Sequence, residues 1–182
     1  TSSLEARQIC MDIEERCRKM PTDVPNPSLG IGCATKESTG EDIVELLHRA
    51  ENRMYRHKMH NAQSSRNALV ASLQRTLSEK SHEAEEHARH LKQLALGLGE
   101  RIGLSASDLD KLGLVALLHD IGKISVPESI LDKPGPLTSE EWKIMKQHCE
   151  SGYRIVASSP DLIDIAEGVL SHHERWDGSG YP

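Results

Sequence analysis

No Phe occurs in the 182-residue sequence, and Trp and Tyr are few, whereas histidine is present ten times. Ten imidazoles in a chain so poor in other aromatic rings make metal binding the first chemistry to consider. A net positive charge is also missing, since 22 Lys and Arg stand against 28 Asp and Glu for a formal charge of -6. There is thus no overall basic field to gather a nucleic acid polymer, and a phosphate ligand would need a local positive centre. The four cysteines, Cys10, Cys17, Cys33 and Cys149, form no C-x-x-C pair. Their scatter argues against a zinc ribbon or a disulfide framework and for reduced thiols. No apolar run approaches the length of a membrane span, and no signal-peptide pattern opens the chain, so a cytoplasmic location is expected. With Thr1 in place of Met and an end at Gly180-Tyr181-Pro182, a segment cut at both ends is expected.

What is present is mostly helical pattern, and 37% hydrophobic residues can supply a core. Leu4, Ile9, Ile13 and Cys17 fall on roughly one helical face, predicting an amphipathic helix that the prolines from Pro21 to Pro27 end. The short apolar stretch from Ser28 to Thr35, with Gly30 and Gly32, reads as a buried strand. A second helix follows, with Ile43, Leu46, Leu47, Ala50 and Met54 at helical spacing. From Asn61 to Lys80 the composition turns polar, with Leu69, Leu73 and Leu77 four apart. That narrow seam fits a connecting helix that packs either on a second protomer or on its own domain. Beyond His82, Leu91, Leu94, Leu98 and Ile102 mark another helix face. Ser105 to Asp108 and Thr138 to Glu141 read as capping boxes opening further helices.

The residues that carry chemistry sit in this helical part. Leu112 to Leu118 are almost unbroken apolar, so the adjoining His119 and Asp120 reach the edge of the core. A buried imidazole beside a buried carboxylate needs compensation, which a metal ion would supply; for the dipeptide alone, a hydrogen-bonded pair at a helix end is the alternative. Glu83 and His87 share one face with Leu91, Leu94 and Leu98 at i, i+4 spacing, a face expected to point inward and bring both toward the core, although that spacing is also common on solvated helices. His148 lies one turn from Met145 on a packed face, either a satisfied core histidine or a ligand. His172 and His173 follow an apolar turn, and as helical neighbours about 100° apart they would serve different metals, or a metal and the substrate. Together Glu83, His87, His119, Asp120, His148, His172 and His173 offer seven nitrogen and oxygen ligands. That number suits two or more divalent ions with Asp120 as the bridge, iron or manganese ahead of zinc. Such a centre can clamp a phosphodiester and activate water, which gives phosphoester hydrolysis as the reaction class. Lys123 is near enough to hold a phosphate oxygen, with a snorkelling surface lysine as the alternative.

Two resemblances sharpen these expectations. The glycine-bearing stretch and the run Leu47-His-Arg-Ala-Glu-Asn-Arg-Met-Tyr-Arg-His-Lys58 resemble the C-terminal end of a GGDEF domain, with Glu51 and Met54 as modest departures. The Gly-Gly-Asp-Glu-Phe motif itself is absent, so the resemblance implies no diguanylate synthesis. From about Glu83 onward, His119-Asp120-Ile-Gly-Lys123, then Ile130-Leu131-Asp-Lys133-Pro134, then His172-His173-Glu-Arg-Trp176-Asp177-Gly-Ser-Gly180-Tyr181-Pro182 is similar to the HD-GYP signature. That family implies an HD-type helical bundle and a two- or three-metal centre. It also implies hydrolysis of cyclic di-GMP to pGpG and/or GMP.

The resemblance implies metal ligation by His87, His119, Asp120, His148, His172 and His173, with Glu83 at a position some members use for an additional metal. It makes Lys123 the substrate lysine and gives the Gly180, Tyr181 and Pro182 loop contacts to substrate or to a GGDEF-domain partner. His90 departs from an arginine often found after the first ligand. The family's later aspartate ligand lies beyond the sequence, so weak or absent turnover is expected of this segment. The expected fold is therefore mainly α, with a small N-terminal helix-strand-helix α/β remnant. Its parts are a GGDEF-like remnant over 1–61, a connecting helix over 62–81 with a possible homodimer seam, and an HD-GYP-like domain over 82–182. Two alternatives stand beside the phosphodiesterase: a non-catalytic HD-type signalling module that binds nucleotide or a GGDEF partner, and a generic HD nucleotide phosphohydrolase.

Overall fold

The computed structural model describes residues 2–19, 29–80 and 84–182, and among these the protein is helical with no β-strand. It divides into two compact units, Thr1–Ser65 and Arg66–Pro182. The 38-residue helix α2 (Ile43–Lys80) runs unbroken through the boundary expected at 61/62.

In the first unit, α1 (Ser3–Arg18) opens on a capping box in which Glu5 N–H donates to Ser2 Oγ at 3.2 Å and Ser2 N–H donates to Glu5 Oε2 at 2.7 Å. Its half-buried stripe is Ala6, Cys10, Glu14 and Cys17. The expected Leu4 and Ile9 face is instead exposed, at 81% and 52%. Glu14 sets this rotation, because its Oε1 lies 2.6 Å from His57 Nε2 on α2 and draws a polar stripe inward.

The strand expected at Ser28 to Thr35 is corrected by the structure. Ser28 lies outside the described residues, and Leu29 to Glu37 adopt no regular structure. A strand needs a neighbour to complete its ladder. Here side chains of α2 take that place: Ile31 N–H donates to His57 Nδ1 at 3.1 Å, and Arg53 Nη1 donates to Cys33 O at 2.8 Å. Gly32 is required by the closeness of this packing, since a Cβ there would lie 2.0 Å from Ala50 O.

The second unit contains the remainder of α2, then α3 (Ala84–Arg101) and α4 (Ala106–Leu118). A 3-10 turn (Ile121–Ser125) and α5 (Glu128–Leu131) lead to α6 (Ser139–Lys146) and α7 (His148–Ala157). A second 3-10 turn (Ile163–Ile165) runs into α8 (Ala166–Leu170). Val70 and Leu77 of α2 join Leu114, Leu118, Ile121, Val156, Leu162 and Val169 in one core, with Leu69 and Leu73 packed against it. Each such fully buried aliphatic side chain contributes about 1.5–3 kcal/mol. The leucine seam therefore packs on its own unit. The end of α2 is also tied to the first 3-10 turn, where Lys80 Nζ donates to Ile124 O.

The inward face of α3 differs from the expected one. Leu94, Leu98 and Ile102 are 58%, 62% and 67% exposed, while Ala88 and Gly99 are buried and Lys92 and Leu96 half-buried. The small residues let α4 approach closely: a Cβ on Gly99 would lie 2.7 Å from Leu109 Cδ2. Both predicted caps form. Ser105 Oγ accepts from Asp108 N–H at 3.2 Å, and Thr138 with Glu141 makes a reciprocal box at the start of α6. Lys133 Nζ, 2.5 Å from Glu141 Oε2, holds that carboxyl down at about 2.

Candidate metal centre

The buried end of α4 delivers the first two ligand candidates. Leu118 and Ile121 are fully buried, so the intervening His119 and Asp120 are held at the core edge, with side chains 13% and 19% exposed. His119 caps α4 through its N–H, which donates to Val115 O at 2.8 Å. The chain then tightens into the 3-10 turn, where Gly122 lies against the backbone of α7. A Cβ at 122 would sit 1.8 Å from His148 O and 2.5 Å from Gly152 N. This backbone contact sets Asp120 beside His148, which is 1% exposed.

His148, His172, His173 and Asp120 each offer one ligand atom, and these atoms lie within 4.8 Å of one another. The expected divergence of His172 and His173 is corrected: α8 ends at Leu170, so helical geometry does not apply, and the two rings lie 4.2 Å apart between centroids. His119 stands beside this set, with its Nε2 3.2 Å from Asp120 Oδ2. The inward orientation expected of His87 is corrected: with the face of α3 turned, His87 is on its exposed side, its ring 6.2 Å from that of His119. Glu83 lies outside the described residues.

Tautomers follow from the backbone. His119, His148 and His172 each place Nδ1 against the carbonyl three residues earlier, Ala116 O at 3.1 Å, Met145 O at 2.7 Å and Val169 O at 2.7 Å. A carbonyl only accepts, so Nδ1 carries the proton in all three rings. Burial pushes His148 and His172 below the ordinary histidine value, and burial followed by the neighbouring His172 does the same for His173. In the neutral rings of His148 and His172, the Nε2 lone pairs face each other at 3.2 Å. Two lone pairs at that separation repel, and a cation between them and the carboxylate removes the conflict. The donor set thus fits a divalent metal ion, and the three carbonyls supply the hydrogen bonds that orient metal-binding imidazoles.

Asp120 faces two sides. Its Oδ2 meets His119 Nε2 and Lys123 Nζ, at 3.2 Å and 2.8 Å, while its Oδ1 lies 3.6 Å from His148 Nε2 and 4.0 Å from His172 Nε2. Burial alone would raise its pKa, but hydrogen bonds and charge from His119 and Lys123 outweigh this and hold the group well below the usual carboxylate range. Lys123, read from sequence as a phosphate contact, is here partnered with that carboxylate.

Tyr181 borders the cluster, its half-buried ring stacked on His173 with centroids 4.7 Å apart and planes 23° apart, and Gly180 lies close to His173 O, while Pro182 is exposed. The sequence reading missed Lys146, whose ammonium lies over the Tyr181 ring at 5.1 Å. It also missed the three orienting carbonyls, although each lies at i−3 of its histidine, a spacing visible in the sequence. Cys149 adjoins the site but is fully buried, and burial pushes its thiol up to about 11, so it is a poor thiolate donor.

A cyclic di-GMP phosphodiesterase of Thermotoga maritima is 48% identical over 102 residues, covering 55% of this chain and 28% of its own length. A 3'3'-cGAMP-specific phosphodiesterase of Vibrio cholerae is 39% identical over 116 residues, 63% of this chain and 22% of that protein. A cyclic di-GMP phosphodiesterase response regulator of Xanthomonas campestris is 33% identical over 126 residues, 68% and 33% respectively. The chain thus spans a third or less of the length of these relatives. The profile of the HD domain family matches residues 71–182, from the second unit's part of α2 through Asp120 and the histidine cluster to the last residue, and the chain belongs to that family.

Proposed function

We propose that the chain carries the active centre of a metal-dependent phosphodiesterase that hydrolyses cyclic di-GMP to pGpG and/or GMP. The observation that carries this reading is the pair of opposed, neutral Nε2 atoms of His148 and His172 beside an ionised Asp120, an arrangement that a cation completes. The relatives named for cyclic dinucleotides support the substrate class.

His148, His172, His173 and Asp120 would hold one ion. Asp120 through Oδ2, with His119 and then His87, would face a second, and Glu83 joins this proposal on sequence resemblance. Iron or manganese suits the imidazole and carboxylate donors, with zinc after them. Bound there, divalent ions supply a Lewis acid for the phosphoryl oxygen and an activated water.

The protein's own part is positioning. The carbonyls of Met145 and Val169 lock the tautomers of His148 and His172 so that Nε2 is free, and the carbonyl of Ala116 orients the His119 ring against Asp120. Lys123 keeps Asp120 ionised and is the cation in place to take a phosphate oxygen as substrate enters. The buried wall of Leu118, Ile121 and Cys149 lowers the local dielectric, which strengthens each of these interactions.

The first unit is, in this proposal, the C-terminal end of a GGDEF domain. That reading rests on the resemblance of the run Leu47 to Lys58 and of the glycine-bearing stretch before it. The Gly180-Tyr181-Pro182 loop is the candidate contact for a GGDEF-domain partner, and the substrate implies a cytoplasmic site.

Several Vibrio cholerae relatives are named 3'3'-cGAMP-specific phosphodiesterases, so a mixed cyclic dinucleotide is the second substrate to test. The chain is reconstituted anaerobically with Fe²⁺ or Mn²⁺, given each cyclic dinucleotide, and the products are resolved by chromatography. Linear product from cyclic di-GMP, even at slow turnover, that disappears in Asp120→Asn supports the proposal. Nucleotide binding without hydrolysis favours a signalling module. Cleavage of mononucleotide phosphoesters alone favours a generic nucleotidase.

A further inference from the structure

Three of the clustered imidazoles are fixed by a hydrogen bond from Nδ1 to a backbone carbonyl. The fourth, His173, has no hydrogen bond to its ring among the described residues, and it is the most exposed member of the metal-type set. A ligand ring without an anchor would spend its rotamer freedom each time a metal binds. What His173 has instead is a face-to-face neighbour in Tyr181, at 4.7 Å and 23°.

We propose that Tyr181 is the positioning residue for His173, a stacking clamp that replaces the missing hydrogen bond; the proposal rests on the metal-centre reading above. The loop is shaped to press the two rings together. Tyr181 N–H donates to His173 O at 3.4 Å, and Gly180 N–H donates to Glu174 Oε1 at 2.9 Å. Gly180 is needed because a Cβ there would lie 2.4 Å from His173 O and 2.6 Å from Arg175 N, both backbone atoms. Lys146 and His148 hold the phenol ring from other directions, the ammonium 5.1 Å from its centroid and the imidazole edge-on at 6.4 Å. The stacking face carries this role and the hydroxyl does not, so phenylalanine should substitute for tyrosine.

The test uses the whole chain and Co²⁺ as the probe, followed by its visible absorption, in the parent, Tyr181→Phe, Tyr181→Leu, His173→Ala and the double variant Tyr181→Leu with His173→Ala. Tyr181→Phe should bind Co²⁺ as the parent does. Tyr181→Leu should weaken binding about 10-fold, the usual effect of losing a group that orients a ligand. In the His173→Ala background the same change should have under about a 2-fold effect, because the ring it positions is gone. An equal loss in both backgrounds, an equal loss in Tyr181→Phe, or no loss in Tyr181→Leu overturns the proposal.

The metal-free protein provides a separate check through the His173 ring proton resonances. These should move in Tyr181→Leu and stay near the parent position in Tyr181→Phe, and unmoved resonances in Tyr181→Leu overturn the stacking. If the parent binds no Co²⁺ while those resonances do respond, the metal-centre reading fails and the ring contact stands.

Discussion

Replacing Gly122 by alanine should damage the fold and the site together. The added Cβ would start 1.8 Å from His148 O, and ordinary contact begins at 3.4 Å, so the 3-10 turn and α7 must separate by about 1.6 Å. Both obstructing groups, His148 O and Gly152 N, are backbone atoms, so no side chain can rotate away. Overpacking of this kind costs typically about 1–3 kcal/mol, and a backbone obstruction belongs at the upper end. At about 3–4 °C per kcal/mol for a domain of this size, melting should fall by roughly 10 °C. Asp120 and His148 lie on the two sides of that contact, so the same opening should weaken Mn²⁺ binding. Gly97→Ala is the internal control, because nothing lies within 4 Å of a Cβ there. On α3 it should gain up to about 1 kcal/mol in helix propensity. Circular dichroism melts of the metal-free proteins and Mn²⁺ titrations measure both effects. If Gly122→Ala melts within about 2 °C of the parent and binds Mn²⁺ equally well, the reasoning from backbone contact to site geometry is refuted.

Three further outcomes follow from the site. Asp120→Asn removes the charge that Lys123 and the imidazoles share, and Mn²⁺ affinity in equilibrium dialysis should drop by at least about 100-fold; retained affinity would remove Asp120 from the ligand set. His148 and His172 have pKa values lowered by burial, so below the ordinary histidine value of about 6.5 the unfolded chain binds more protons than the folded one. The stability of the metal-free protein should therefore fall as pH drops through that value and level off above it, as urea unfolding between pH 5 and 8 would show; a flat profile would contradict the neutral-ring assignment. Cys149, fully buried with its thiol pushed up to about 11, should be alkylated by iodoacetamide only after Cys10, Cys17 and Cys33, and peptide mass spectrometry that finds it modified first would contradict its burial.

His119 and His172 were legible in sequence because each follows an apolar helical turn that fixes its depth, through Leu118 and Val169, and His148 because it lies one turn from Met145. The caps at Ser105 and Thr138 were legible for a similar reason, since their hydrogen bonds span three residues. What was not legible depended on long-range partners. The stretch after Ser28 has the composition of a strand, but the side chains of Arg53 and His57 satisfy its backbone instead of a neighbouring strand. Periodicity placed Leu94 and Leu98 inward, yet close packing at Ala88 and Gly99 turned the helix by about one position. The stack of Tyr181 on His173 requires the chain to fold back across a turn, and spacing alone does not specify such a return.

The most direct test of the account is an anomalous difference map from crystals of the protein soaked in Mn²⁺. The account predicts a peak at about 2.0–2.3 Å from Nε2 of both His148 and His172 and from a carboxylate oxygen of Asp120. A fully soaked crystal with Mn²⁺ bound elsewhere and no peak among these three groups would contradict it.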